Sequence, residues 1–326
     1  MRSTRPADAR KDQQLIRPAT PSRGCPALLL ITWCVLAIVY RPDAIAQELT
    51  PRAYWPAPVG TQVITVGGGH TSGDIVPDAT LPISGLDSSI NSLFVGYRRT
   101  LDLWGRTANL VLELPFADGT TEATPLEGST ARRDYHGFGD VAATLSVNLL
   151  GAPAMDGKQF MALRRDPHPL LGASVKVVAP TGRYDEERLI NVGANRWALK
   201  AELGYIQPLS RRWLVELTAG AWVFGDNDDF VGFTRQQDPI GSLQMHLVHV
   251  ISPDIWVALN ANAYYGGRSR VGDRRLNDLQ RDSRIGVTFV FPLAPRQAIK
   301  ASLIHGSLND SDETFNSIQF SYTRVF

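Results

Sequence analysis

The chain has 326 residues, 44% of them hydrophobic, and its 33 Lys and Arg nearly balance 32 Asp and Glu, for a formal charge of +1. That balance excludes a basic nucleic-acid binder, and no run after Tyr40 has the roughly 18 consecutive apolar residues of a membrane-spanning helix. Both cysteines, Cys25 and Cys34, lie in the first 46 residues, so residues 47–326 can form neither a disulfide nor a thiolate metal site.

The chain opens as an export signal. Arg2, Arg5, Arg10, Lys11, Arg17 and Arg23 form a basic region, Ala27 to Tyr40 form an apolar run, and Ala44-Ile45-Ala46 supplies a small-x-small cleavage site before Gln47. Residues 1–46 are therefore expected to be a signal peptide cleaved after Ala46. The remaining 280 residues carry 26 Lys and Arg against 29 Asp and Glu, a formal charge of −3. Residues 47–58 are expected to form a short periplasmic segment, and residues 59–326 the folded body.

From Val59 the sequence is a succession of strand-like segments. Twelve are expected, at 59–70, 90–101, 106–116, 137–149, 170–180, 194–207, 212–224, 239–251, 255–265, 283–291, 296–305 and 315–326. Each is longer than the usual strand of a soluble sheet and about as long as a tilted membrane-spanning strand. Their periodicity is two. Leu110, Leu112, Leu114 and Phe116 oppose Asn109 and Glu113; Trp197, Leu199, Ala201, Leu203 and Tyr205 oppose Arg196, Lys200 and Glu202; Trp213, Val215 and Leu217 oppose Glu216 and Thr218. Aromatic residues gather near the ends of the apolar faces, as interfacial girdles do: Tyr97, Phe116, Trp197, Tyr205, Trp213, Tyr265, Phe291 and Phe326.

The connections alternate in length. Tight links at 102–105, 208–211, 252–254 and 292–295 alternate with longer polar loops near 71–89, 117–136, 181–193, 225–238, 266–282 and 306–314. In outer-membrane barrels the short turns are periplasmic and the long loops external. The exception is 150–169, long yet on the short-turn side; it reads as a flexible linker, with a plug or a partner contact as alternatives. The last segment alternates Ile318, Phe320, Tyr322 and Phe326 against Gln319, Ser321 and Thr323, as a barrel-closing strand does, with Arg324 breaking the apolar face. The expected fold is all-β: an antiparallel transmembrane β-barrel of about twelve strands in the bacterial outer membrane. Its expected partners are outer-membrane lipid and the barrel-assembly machinery.

The run Arg52 to Gly60, Ser72-Gly73-Asp74, Leu81-Pro82-Ile83 and Phe94 to Thr100 resemble segments of the outer-membrane proteins of the meta-pathway of phenol degradation. Leu114 to Gly119, Gly137-Phe138-Gly139-Asp140, Ala179 to Tyr184 and Asn191 to Trp197 continue the similarity. The resemblance implies a β-barrel transporter associated with aromatic catabolism and implies no catalytic residues.

With the apolar faces toward lipid, Glu113, Lys176, Lys200, Glu202 and Glu216 point into the lumen. They either pair across strands and rigidify it or line a permeation path that sets selectivity. Gly225 to Asp229 is rich in carboxylates, but Phe230 stands where a calcium loop needs oxygen, so it reads as a solvated loop. Gly67-Gly68-Gly69 opens no helix and reads as small residues in a crowded strand. His246 and His249 fall on opposite faces, unsuited to a shared metal. His70 with Ser72 are the residue types of a barrel lipid hydrolase. The expected function is passive uptake of a small-molecule solute, aromatic or hydrophobic, with no enzymatic activity, cofactor or metal. The alternative is a structural or surface-interaction barrel with a sealed lumen.

Overall fold

The structure is a computed structural model that describes residues 50–75, 86–123, 131–307 and 314–326. The expected signal peptide and the Leu81-Pro82-Ile83 segment lie outside the described residues. In chain order these residues form β1 (Gln62–Gly73), β2 (Leu86–Leu103), β3 (Arg106–Ala123), β4 (Ala131–Phe138), β5 (Ala142–Leu150), α1 (Gly157–Arg165), β6 (Leu170–Val178), β7 (Ala198–Pro208), β8 (Trp213–Phe224), β9 (Asn227–Phe230), β10 (Phe233–Gln237), β11 (Ile240–Ser252), β12 (Ile255–Gly266), β13 (Ser269–Val271), β14 (Arg274–Arg275), β15 (Gln280–Ala294), β16 (Gln297–Ser307) and β17 (Thr314–Val325). Twelve of them hydrogen-bond antiparallel in the order β2-β1-β17-β16-β15-β12-β11-β8-β7-β6-β5-β3, and the β2–β3 pairing closes the ring. The chain is thus the twelve-stranded antiparallel barrel that its alternation implies.

The pleat explains the arrangement. Successive residues face opposite sides, so Leu93, Leu203, Leu259 and Leu303 stand exposed on the outer wall while Ser174, Asn260, Thr288 and Ser302 are buried on the inner one. An apolar exterior around a polar interior inverts a soluble protein and suits hydrocarbon. Inside, hydroxyl and amide side chains join neighbouring strands. Asn260 Nδ2 donates to Thr288 Oγ1 at 3.0 Å, and Thr288 and Ser302 hydroxyls meet at 3.1 Å.

The β2–β3 link is a two-residue turn in which Trp104 and Gly105 both have positive φ, 53° and 76°, as a type I′ hairpin requires. Asp102 steadies it by accepting from the Gly105 amide at 2.7 Å. At the opposite end, β9, β10, β13 and β14 make a separate four-stranded sheet from the loops after β8 and β12.

Two expectations about residues 137–169 need correction. The strand expected at 137–149 is broken into β4 and β5, because Pro115 on the facing β3 has no N–H to give; its carbonyl accepts from the Gly139 amide at 2.9 Å, and regular pairing resumes at Glu113 with Ala142. The connection 150–169 is not a flexible linker. It contains α1, started by a capping box in which Asp156 accepts from the Gln159 amide and Gln159 accepts from the Asp156 amide. Leu163 and Phe160 of α1 pack into a core with Tyr54, Met155, Leu170, Ile206 and Leu214. Arg164 bonds Asp254 at 2.9 Å and the Pro253 carbonyl, tying the helix to the β11–β12 turn.

β17 closes the ring on β1, with Val63 opposite Val325 and Gly73 opposite Phe315. Ile318, Phe320 and Phe326 are exposed on the outer wall, and the Tyr322 hydroxyl donates to Gln297 at 2.7 Å. Arg324 lies over the Phe326 ring at 5.3 Å. The Phe326 amide makes the last bond of the seam, to the Gln62 carbonyl at 2.8 Å. Deleting Phe326 is expected to lower the yield of folded barrel, read as loss of heat-modifiable migration; an unchanged folded fraction would remove this residue from the seam.

Candidate functional site

The barrel encloses a cavity of about 1680 Å³. Its wall at the short-turn end includes Pro253, Pro292 and Arg296, and at the other end Ala194, Arg196 and Phe224.

The five charged residues expected in the lumen all face inward. Lys176 Nζ donates to Glu113 Oε2 at 2.8 Å across β6 and β3, and Lys200 Nζ donates to Glu202 Oε1 at 2.6 Å along β7. Gln244 adds a 3.1 Å bond to Glu202, and the Lys200 ammonium sits 5.4 Å from the centre of the Trp222 ring. One pair spans strands and the other runs along a single strand, and in each the two charges offset one another on the inner wall. Glu216 is fully enclosed, and its Oε2 accepts from the Arg52 amide at 2.6 Å.

That last bond belongs to a feature the periodicity does not announce. Residues 50–58, expected as part of a short periplasmic segment, instead run inside the barrel and dock on the inner wall of β5 to β8, because Tyr54 finds a seat on two glycines there. The Tyr54 ring lies flat on Gly172 and Gly204, cross-strand neighbours on β6 and β7, so close that a β-carbon on either would stand 2.4 or 2.2 Å from it. Its hydroxyl meets Ser174 Oγ at 2.8 Å, and its carbonyl accepts from Asn148 Nδ2 at 2.9 Å. Burial pushes the Tyr54 phenol up to about 12, so it stays neutral. The Arg52 guanidinium stacks over Trp55 at 4.4 Å and faces Trp256 at 5.6 Å. Burial pulls its pKa down to about 10, against the opposing pull of Glu216, so it remains charged at neutral pH.

The other unannounced feature is the fastening of the loop between β6 and β7. Asp140, in the break between β4 and β5, accepts from the Gly182 amide at 2.7 Å and the Ala194 amide at 2.8 Å. A β-carbon at Gly182 would meet the Gly139 carbonyl carbon at 2.8 Å, so the backbones touch. Asn227 completes the knot by donating to the Tyr184 hydroxyl and the Ala194 carbonyl and accepting from Asn195. The loop's end turns inward, where Val192, Ala194 and Arg196 line the cavity and Arg196 stacks over Phe224 at 4.5 Å. Three of the segments that carry the family resemblance, 137–140, 179–184 and 191–197, meet here.

Of the remaining sequence candidates, His246 is buried inside and bonded to Asn260 at 2.9 Å, whereas His249 stacks on Trp213. His70 Nδ1 lies 3.0 Å from Asn91 Oδ1, an amide where a hydrolytic triad would carry a carboxylate. The acid-rich run at 225–229 is partly engaged, with Asp226 accepting from Gln236 and Asp228 from Thr234. The Phe94 ring covers Gly67, which accounts for the small residue there.

Among solved structures, the chain is similar to an outer membrane channel from Pseudomonas putida F1, with 21% identity and a TM-score of 0.69 over 86% of this chain and 100% of that one. The transport unit of the autotransporter AIDA-I from Escherichia coli is more distant, with 10% identity and a TM-score of 0.48 over 90% of this chain and 96% of that one. No curated protein sequence matches. Residues 68–323, from within β1 to within β17, match the family described as "Putative MetA-pathway of phenol degradation". With nearly the whole barrel matched, the chain belongs to that family.

Proposed function

We propose that this protein is an outer-membrane channel, exported by its N-terminal signal, that lets small aromatic or hydrophobic solutes diffuse down their gradient without cofactor or nucleotide. The observation that carries this reading is a cavity whose lining reaches from the short-turn residues Pro292 and Arg296 to Ala194 and Phe224 at the other end. Aromatic side chains on that lining, among them Trp55, Phe94, Trp222 and Trp256, give an apolar solute surface to slide along, and the ion pairs divide the polar remainder. The lining carries eight Lys and Arg against four Asp and Glu, so the path is electropositive.

The test is single-channel recording of detergent-folded protein in planar bilayers, together with liposome swelling in small neutral solutes. Conductance with a chloride preference in the reversal potential, and measurable swelling, are expected. No current and no swelling would favour the second reading, a sealed barrel, which the core around Tyr54 and α1 supports by filling part of the lumen. Replacing Lys176 and Lys200 together with glutamine is expected to reduce the chloride preference about two- to threefold by leaving Glu113 and Glu202 uncompensated; an unchanged reversal potential in a folded barrel would take both lysines out of the path.

A further inference from the structure

Arg98 stands outside the ion pairs of the inner wall. The four carboxylates of the cavity lining are all engaged: Glu113 with Lys176, Glu202 with Lys200, Asp254 with Arg164, and Asp140 with two backbone amides. Arg98, on β2, lines the same cavity with its Nε buried and without a hydrogen-bond partner. Its cross-strand neighbours are Val63 on β1 and Val111 on β3, whose side chains offer no acceptor. That nitrogen lacks the acceptor that normally compensates a desolvated guanidinium donor.

The next residue on that face has no side chain. Two residues up the same face is Gly96, where a β-carbon would come no nearer than 3.8 Å to the Leu112 carbonyl oxygen and 3.9 Å to Thr65. Two further on is Phe94, whose ring is spread over Gly67 of β1. The inner face of β2 therefore presents, in line, a cation, a glycine floor and an aromatic face. The Cα atoms of Arg98 and Phe94 are about 13 Å apart along an extended strand. A span of that length can take one flat ring between the two side chains.

We infer that Arg98, Gly96 and Phe94 form a solute subsite for an aromatic monocarboxylate, the carboxylate on the Arg98 fork and the ring over Gly96 against Phe94. A guanidinium receives a carboxylate through two parallel charge-assisted hydrogen bonds, and the apolar flanks Val63 and Val111 exclude the water that would weaken them. Glu113, beside Gly96 on β3, is held by Lys176 at 2.8 Å, so its charge is offset and does not repel the ligand. The subsite narrows the solute class of the proposed channel to anionic aromatics and rests on that reading for its role in transport, but not for its existence as a binding site.

The experiment is calorimetric titration of the detergent-folded full chain with benzoate and with benzyl alcohol, its neutral counterpart. Wild type is expected to bind benzoate at least tenfold more tightly than benzyl alcohol. Arg98→Gln is expected to lose about tenfold in benzoate affinity with little change for benzyl alcohol, and Arg98→Lys to fall between. Gly96→Leu, whose β-carbon has room but whose branches fill the floor, is expected to weaken both ligands. Heat-modifiable migration establishes folding, and Gly96→Leu carries the test should Arg98→Gln fail to fold. Equal affinity of wild type for the two ligands, or benzoate binding unchanged in Arg98→Gln and Gly96→Leu, overturns the subsite. Because titration needs no permeation, benzoate binding by a barrel that passes no current would refute the channel and keep the subsite, whereas conductance without benzoate binding would do the reverse.

Discussion

Replacing Tyr54 with alanine should raise the single-channel conductance several-fold and make the current noisier. The ring is the largest anchor of residues 50–58 on the inner wall, seated on Gly172 and Gly204 and capped by Ser174. Truncating a buried aromatic side chain costs about 3 kcal/mol, roughly a hundredfold in the ratio of docked to undocked segment. Among the remaining anchors, Asn148 to the Tyr54 carbonyl and the Arg52 amide to Glu216 are individual hydrogen bonds of about 1–3 kcal/mol each, and Trp55 adds its packing on the core. The segment would leave the wall part of the time and open the lumen beneath it. Gly204→Val should have the same effect from the opposite side, because its β-carbon would stand 2.2 Å from the ring and displace it. Two variants that alter different elements and open the same path would assign the obstruction to this contact. Unchanged conductance in both would show that the segment does not limit the current.

Asp140→Ala should release the loop between β6 and β7 while leaving the barrel intact. One carboxylate holds two backbone amides, at Gly182 and Ala194, and hydrogen bonds to a charged acceptor contribute about 1.5–3 kcal/mol each. Without them the stretch from Gly182 to Ala194 keeps Asn227 and the Arg183 amide bond to the Phe138 carbonyl as its main ties. Limited trypsin digestion of the folded protein should then cut at Arg183 or Arg188 many times faster than in the parent, with heat-modifiable migration retained. Equal protection of those sites would mean that the loop is held by its other contacts and that Asp140 is dispensable.

The barrel wall was legible in the sequence because membrane-facing strands impose a strict period of two, and the short turns are written in residues with particular backbone demands. Trp104-Gly105 and Pro253-Asp254 fall where the turn spacing puts them. The inward direction of Arg98 was legible as well, since Leu93, Val95 and Tyr97 on the outer face leave Phe94, Gly96 and Arg98 for the inner one. What the pattern did not disclose was built by contacts between residues far apart in the chain. Tyr54 meets Ser174 across 120 positions, and Asp140 meets Ala194 across 54; neither leaves a local period to read. The helix in 150–169 did leave a signal, the Asp156 and Gln159 spacing of a capping box, but three prolines and one short turn of apolar residues obscure it. The break between β4 and β5 is likewise written in Pro115, which lies on a neighbouring strand and not on the one it interrupts.

The seat of Tyr54 has a consequence for how such a chain can drift over generations. Gly172 and Gly204 are paired across two strands of a closed wall, and a closed wall has no edge along which to shift and make room. A side chain gained at either position can be accommodated only if position 54 becomes smaller, and a smaller residue at 54 leaves a hollow that favours growth at 172 or 204. The three positions are therefore one inherited unit, and substitution among family members should be correlated there while the neighbouring outer-wall leucines vary independently.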